Sequence, residues 1–324
     1  MAVPTGTFSR HSAIGSREDL ADIIWDISPM DTPFMSNIAK NKATSVLHEW
    51  QTDSLAAASA AGQQIEGDDI ATNTATATVR LANNCQINAK VPRVTGTLRA
   101  SDTAGRADEL SYQTAKRARE IKRDMEASLT GASAATSGGT GTARKLAGLG
   151  LWLWNNDVHT GTATSTVTVT SGAPSTAPTA GSTGTFTEAM LASCISLCWT
   201  AGGDPNVVMV GSFNKRRVSG FSGVGTQYRD ASPNGPLAPG SIVGAADVYI
   251  SDFGTHQIVA NRFQPAATAY VLDMDFWSLA TLREFEQEPL AKTGDSDRAL
   301  LVCEYTLESR NGSASGKVFT TTTS

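Results

Sequence analysis

Several groups of residues in this sequence have types and spacings that approach known chemistry. Gly220-Phe221-Ser222-Gly223-Val224 comes near the Gly-x-Ser-x-Gly turn that holds a hydrolase serine free between a strand and a helix. It ends in valine, and nothing places a histidine and an acid beside it. Gly312 to Val318 approaches a phosphate loop, in which glycines let backbone amides cradle an anion, but it is one residue short and lacks the final hydroxyl. Asp273-x-Asp275 and Asp295-x-Asp297 offer hard oxygen ligands for a cation, yet such pairs read better as turn formers. Cys194 and Cys198, four apart, read as small buried side chains on one helix face rather than a redox or metal pair. His48 and Glu49 point to opposite faces of a strand and cannot form an acid–base pair by adjacency. Trp152 and Trp154 read as local core on a short strand, and the basic run 116–123 as a solvated helix face. No cofactor or metal is expected, and the chain does not read as an enzyme.

Composition narrows the class further. The 324 residues hold 26 Lys plus Arg against 31 Asp plus Glu, a net charge of −5. That balance argues against a chain that condenses nucleic acid, which needs a strongly basic arm. Ala, Gly, Ser and Thr make up 144 residues, nearly half the chain, while 40% hydrophobic residues suffice for a packed core. The longest apolar run, Leu146 to Trp154, is too short for a membrane span of roughly 20 residues, and the first 20 residues contain no signal-peptide core. The four cysteines are too sparse for a disulfide framework.

The elements that would position such residues follow from periodicity. Ser16 to Trp25 predicts a short helix, and Pro29 and Pro33 hold the next piece extended, so that 1–43 reads as an arm. Residues 44–97 alternate with period 2 and predict a long β-hairpin whose tip, Ala56 to Asp69, is small and polar. Cys85, Ile87, Ala89 and Val91 form the apolar face of its return strand. Ten residues already reach ~33 Å, so such a hairpin must lie on something else, most simply a second subunit. Residues 101–130 predict a helix of ~40 Å, capped by Ser101 or Asp102, with Leu110, Thr114, Ala118, Ile121, Met125 and Leu129 as its apolar stripe and Glu126 on the opposite, charged face. Residues 132–186 read as a Gly/Ser/Thr-rich surface insertion with short strands between Thr164 and Thr170. A helix over 186–203, a strand at Val207–Val210 and a helix from Ser212 make an α/β unit. Strands follow at 246–251, 257–260, 269–272, 279–285 and 300–307.

Ser28-Pro-Met-Asp-Thr-Pro-Phe-Met-Ser-Asn37, with Lys42 to Ala56, resembles the N-arm and outgoing hairpin strand of a tailed-phage major capsid protein group with the HK97-like fold. Gly211 to Phe221, Val248 to Gly254, Leu282 to Glu286, Pro289 to Gly294 and Glu304 to Glu308 resemble the same group. The resemblance implies an α+β chain: arm 1–43, extended loop 44–97, spine helix 98–131, insertion 132–186, axial lobe 187–265, and peripheral lobe completed by 266–324. It implies a structural subunit that self-assembles as hexamers and pentamers into an icosahedral virion shell around double-stranded DNA. Portal, scaffolding and decoration proteins would be its partners, with non-specific DNA contact, no membrane, and assembly in the host cytoplasm. Because an arm of about 43 residues leaves no room for a fused scaffold of domain size, either a separate scaffolding protein or an already mature form of the chain is expected. Pro29, Pro33, Phe34, Trp50, Arg80, Lys90, Arg117 and Arg123 are the expected inter-subunit contacts. The competing structural reading is an encapsulin-like nanocompartment shell of the same fold. A hydrolase lacks a complete motif, and a β-rich tail protein lacks the long helix.

Overall fold

A computed structural model describes residues 31–60, 63–67, 69, 75–103, 105–159, 167–179, 181–221 and 247–323. The expected helix at Ser16–Trp25, Pro29, and residues 222–246 lie outside these residues.

The arm enters as a one-turn helix α1 (Pro33–Asn37), which Pro33 starts at the position where its missing N–H costs nothing. Strand β1 (Ala39–Lys42) follows, then β2 (Leu47–Thr52) and β3 (Val79–Asn84), which pair antiparallel from Leu47↔Asn84 to Thr52↔Val79. At Cys85 the chain leaves this ribbon and continues as β4 (Gln86–Lys90) and β5 (Arg93–Thr95). A short α2 (Gly96–Ala100) precedes α3 (Glu109–Thr130), capped by Asp108, whose carboxylate accepts the Ser111 amide. The predicted helix therefore begins eight residues late. Gly105, at φ +72°, marks the intervening loop, and 22 residues give α3 a length of ~33 Å.

Next come α4 (Leu149–Trp152), β6 (Asp157–His159), β7 (Val169–Thr170) and β8 (Ala173–Pro174). Ser171 and Gly172, both at positive φ, turn β7 into β8. Gly172 lies so close to the β3 backbone that a side-chain carbon there would meet the Arg80 carbonyl oxygen at 2.8 Å. Helix α5 (Glu188–Thr200) is capped by Thr187, and β9 (Val207–Val210) and α6 (Ser212–Val218) complete the predicted helix–strand–helix unit. The remaining strands are β10 (Val248–Ser251), β11 (Gly254–Ala260), β12 (Ala269–Leu272), β13 (Trp277–Leu290), β14 (Ser296–Ser309) and β15 (Gly316–Phe319).

Among the described residues these strands build two main sheets. The first runs β1-β13-β14-β4, with β5 also on β14. The second runs β10-β11-β9-β12-β15-β6. The second sheet takes β6 from within 132–186 and β12 and β15 from beyond 265, so its strands are not confined to 187–265. One core lies between α3 and the first sheet and gathers Phe34, Ile121, Leu129, Trp152, Trp277 and Tyr305. The other lies under α5 and gathers Leu191, Cys194, Ile195, Val208 and Val271. Strand β9 serves both: Val207 and Met209 face the first, Val208 and Val210 the second, which explains its unbroken apolar run.

Three expectations change. The island Leu146–Trp154 is no surface feature: Leu146, Leu149, Leu151 and Leu153 are fully buried, and the tryptophans sit on a helical turn and its exit, Trp152 inside and Trp154 exposed. Only Val169–Thr170 forms a strand among the described residues of 164–170. The would-be phosphate loop supplies β15, with Lys317 buried and its Nζ donating to the Gly150 carbonyl at 2.7 Å.

Candidate assembly interface

The arm is held by its own subunit. Phe34 is fully buried, edge-on to Trp277 at 6.4 Å between ring centres. Glu126 is buried and accepts the amides of Phe34 and Met35, each at 2.9 Å, and the Asn261 side chain at 2.7 Å. Burial pushes its carboxyl above the ordinary range, against the pull of these three donors. The expected position of Glu126 on the solvated face was wrong, because α1 packs over that end of α3.

The hairpin root is also fixed within the subunit. Trp50 Nε1 donates to the Ser309 carbonyl at 2.7 Å, and its ring stands 5.5 Å from that of Trp152. His48 lies 3.2 Å from Glu308, which also accepts from Asn41 at 2.9 Å and Arg310 at 3.0 Å. The His48 contact, outweighing the opposing effect of burial and aided by Asn41 and Arg310, holds Glu308 down to about 2. Glu49 points the other way and meets Arg80 at 3.5 Å, as alternation along the strand requires. Buried Asn83 closes the root: its side chain donates to the carbonyls of Ala147 and Leu307 and accepts the Ala147 amide.

Beyond Thr52 the hairpin leaves its own body. Leu55 is 98% exposed, Ile65 76% and Val79 58%. From residue 43 to 79 the sequence has no Lys or Arg and carries Glu49, Asp53, Glu66, Asp68 and Asp69. On the body, a groove of about 340 Å³ opens between α3 and the β13–β14 ribbon, lined by Leu110, Thr114, Ala118, Phe285 and Leu301. The hydroxyl of Thr114 is buried there without a hydrogen-bond partner among the described residues.

Strand β4 reverses the expected faces. Its polar side chains look inward: Asn88 donates to the Tyr305 hydroxyl at 3.0 Å, and Lys90 meets Glu120 at 3.2 Å and Asp124 at 2.7 Å. Ile87 is left exposed. The polar face fits because the α3 flank over β4 is itself charged.

Of the eight expected contact residues, Pro29 lies outside the described part, and Pro33 and Phe34 start and anchor α1. Trp50 pins the hairpin. Lys90 and Arg117 share Glu120, the latter at 2.6 Å, and Arg123 lies over the Phe263 ring at 5.4 Å. Phe34 is thus removed from any neighbour, and Arg80, with a side chain 70% exposed, is the most accessible of the charged four. Sequence reasoning missed the buried carboxylates Glu109, Glu126, Glu304 and Glu308. Glu304 sits between Arg144 at 2.5 Å and Arg283 at 3.0 Å. For the last two the only signal was a pair of acids, 304 and 308, on one face of a largely apolar strand.

The remaining polar pairs are structural. Asp273 accepts the amides of Asp204 and Asp275 and so forms a turn, and Asp297 is held by Arg99 and Lys292. Cys194 and Cys198 are buried beside one another, and their contact together with burial drives the Cys194 thiol upward.

The sequence profile of the SU10 major capsid protein family matches residues 3–322. A major capsid protein of Escherichia phage Phieco32 is 28% identical over 353 aligned positions, covering 99% of this chain and 98% of that protein. A solved structure from Microbacterium phage Oxtober96 superposes with a TM-score of 0.62 at 13% identity, covering 96% and 98% of the two chains. The capsid of a native GTA particle gives 0.59 at 12% identity, covering 96% and 97%. These capsid relatives do not favour the nanocompartment alternative, and the helix, sheets and hairpin described above are those of the HK97-like fold. The chain belongs to the SU10 major capsid protein family and is a structural phage subunit, not an enzyme.

Proposed function

We propose that copies of this chain form hexamers and pentamers that close into an icosahedral head around double-stranded DNA. The axial lobe is built on the six-stranded sheet and the peripheral lobe on α3 and the five-stranded sheet. Portal, scaffolding and decoration proteins join the same shell, and assembly takes place in the host cytoplasm.

One observation carries the reading. A hairpin rooted by Trp50, His48 and Asn83 projects Leu55 almost fully and Ile65 largely into solvent, which a lone subunit has no reason to do. The hairpin tip of one copy lies on the α3/β13–β14 groove of the next, with Arg80 at the edge of that contact. Weak single contacts suffice, because each subunit makes many at once.

Electron microscopy of the purified chain tests this: closed shells or rings of five and six are expected. Removing residues 56–69 should leave a folded subunit that closes shells poorly. A chain that stays monomeric under every assembly condition refutes the proposal. Unfolding on removal of the tip would show the hairpin to be core instead.

A further inference from the structure

We infer that Ile65 at the hairpin tip fills the α3/β13–β14 groove of the next copy, with the Thr114 hydroxyl donating to a backbone carbonyl of the incoming tip and Lys122 pairing with Glu66. This rests on the reading that the hairpin of one subunit lies on its neighbour, and it names the residues that select the seat.

The groove wall is made by an irregularity of β13. From Arg283↔Glu304 to Glu286↔Val302 the strand advances three residues against two on β14, so one residue is extra. Without it Phe285 would share the face of Arg283. With it Phe285 and Gln287 turn toward α3, beside Leu301. Glu286 and Glu288, opposite Val302 and Leu300, fall on the other face. Beyond Thr281, β13 pairs with β14 alone among the described residues, so its second edge is open. Phe285 is accordingly 43% exposed.

The helix side holds an unmet donor. Ser128 and Thr130 turn their hydroxyls back to the carbonyls of Asp124 and Glu126, each at 2.8 Å. Ser111, also at the groove, donates to Asp108 at 2.7 Å. Thr114 does neither: it is nine-tenths buried, and its hydroxyl has no partner among the described residues. A packing gap over an apolar stripe accounts for Leu110 and Ala118, but it leaves this hydroxyl unpaired at a cost. A carbonyl arriving from outside removes that cost. Charge on α3 is also divided. Glu120 and Asp124 turn to Lys90 on β4, while Lys122 stands exposed one turn beyond Ala118, on the groove side.

The hairpin offers the complement. Ile65, 76% exposed, directly precedes a turn at Glu66-Gly67, with Gly67 at φ +85°. The turn sets an apolar side chain beside a carboxylate, and residues 43–79 supply no Lys or Arg to neutralise it. Leu55, three residues past β2, follows at the rim. An apolar anchor in a dry pocket, with a charged pair at its edge, gives an interface both affinity and register.

Charge exchange in the full chain tests the pairing. Glu66→Lys and Lys122→Glu should each lower the yield of closed particles in sedimentation at least about threefold, and the double variant should restore it. Thr114→Val should keep or raise the urea midpoint yet lose about two- to tenfold in particle yield, while Thr114→Ser keeps the yield. Cysteine pairs locate the seat, since the four native thiols are buried. Particles of I65C/A115C treated with diamide should give a ladder of linked copies on a denaturing gel. I65C/S193C, with its second thiol exposed on α5, should not. A double charge variant as poor as the single ones, or Thr114→Val particles at full yield, overturns the inference. So do equal ladders from the two cysteine pairs, or a link confined to one copy. If I65C/A115C does not assemble, the charge exchange decides. Normal shells from every variant sink this inference alone, whereas no shells from the unaltered chain sinks the reading beneath it.

Discussion

Glu126 accepts the Phe34 amide at 2.9 Å across 92 residues of sequence, and its second oxygen takes the amide of Met35. Pro33 lacks an N–H, so these two amides are the next ones that the first turn of α1 leaves without a helical partner. With Asn261 as third donor, one buried carboxylate joins the arm, α3 and the loop between β11 and β12.

Glu126→Ala strands two arm amides and the Asn261 side chain and should cost about 1–3 kcal/mol in a urea melt. Hydrogen exchange at Phe34 and Met35 should rise more than at Leu129, which is equally buried but not bound by Glu126. Glu126→Gln keeps an acceptor without a buried charge. Because burial raises the folded carboxyl, its stabilising contribution is present below the ordinary carboxylate range and is lost as pH rises through the folded value. The native protein should therefore gain on the Gln variant as pH falls. A gap that is constant with pH would rule out this role.

Glu308 should show the opposite sign. Its carboxyl is held down to about 2, so its contribution is full above about pH 4.5 and is lost as pH falls toward 2. The amount is on the order of 3 kcal/mol, since side-chain exposure is only 6%. Glu308→Gln should flatten the acid limb of the stability curve over that window. An acid limb that is unchanged would place the sensitivity elsewhere. Acid should thus loosen the hairpin root and β1, which share Glu308, while leaving the arm's hold on Glu126 intact.

What the sequence disclosed depended on whether a pattern was local. β9 was read to the residue, and α5 and α6 nearly so, because periodicity, Gly202-Gly203 and the Asp204-Pro205 turn all lie within one short span. The resemblance supplied the order of the larger parts. Long-range contacts were not legible. Ile87 looked like core because it alternates with polar neighbours, but a charged α3 flank inverted the sense of β4. Leu146–Trp154 looked peripheral because its flanks are low in complexity, though it fills the space between α3, β12 and β13. The same limit hid Glu126: helical spacing says which residues share a face, not what will later cover it.

Lys317 makes a third titration testable. It is buried, donates to the Gly150 carbonyl, lies 5.0 Å from the Phe319 ring, and burial pushes it down to about 8 despite Asp157. A base lowered in the fold penalises the protein below that value, so stability should rise between pH 8 and about 10.5. Lys317→Met should remove that rise and be no less stable at pH 7, since a buried charge is exchanged for apolar volume. Marked destabilisation at pH 7 would instead assign the larger share to the Gly150 hydrogen bond.

Trp50 separates stability from aim. Its indole N–H is bonded to Ser309 and its ring packs near Trp152, so Trp50→Phe should cost about 1 kcal/mol and Trp50→Ala about 3 kcal/mol. The two cores under α3 and α5 stay closed in either variant, because Trp50 only borders the first. The ribbon, however, is levered at this point: a small tilt at Trp50 is magnified at Leu55 and Ile65, the residues proposed to seat on the neighbouring groove. Trp50→Phe should therefore lower the yield of closed particles far more than its modest loss of stability explains. Particle yield by sedimentation, set beside the urea midpoint of the same protein, decides. Yield that merely tracks the midpoint would show that Trp50 supports the subunit and does not direct the hairpin.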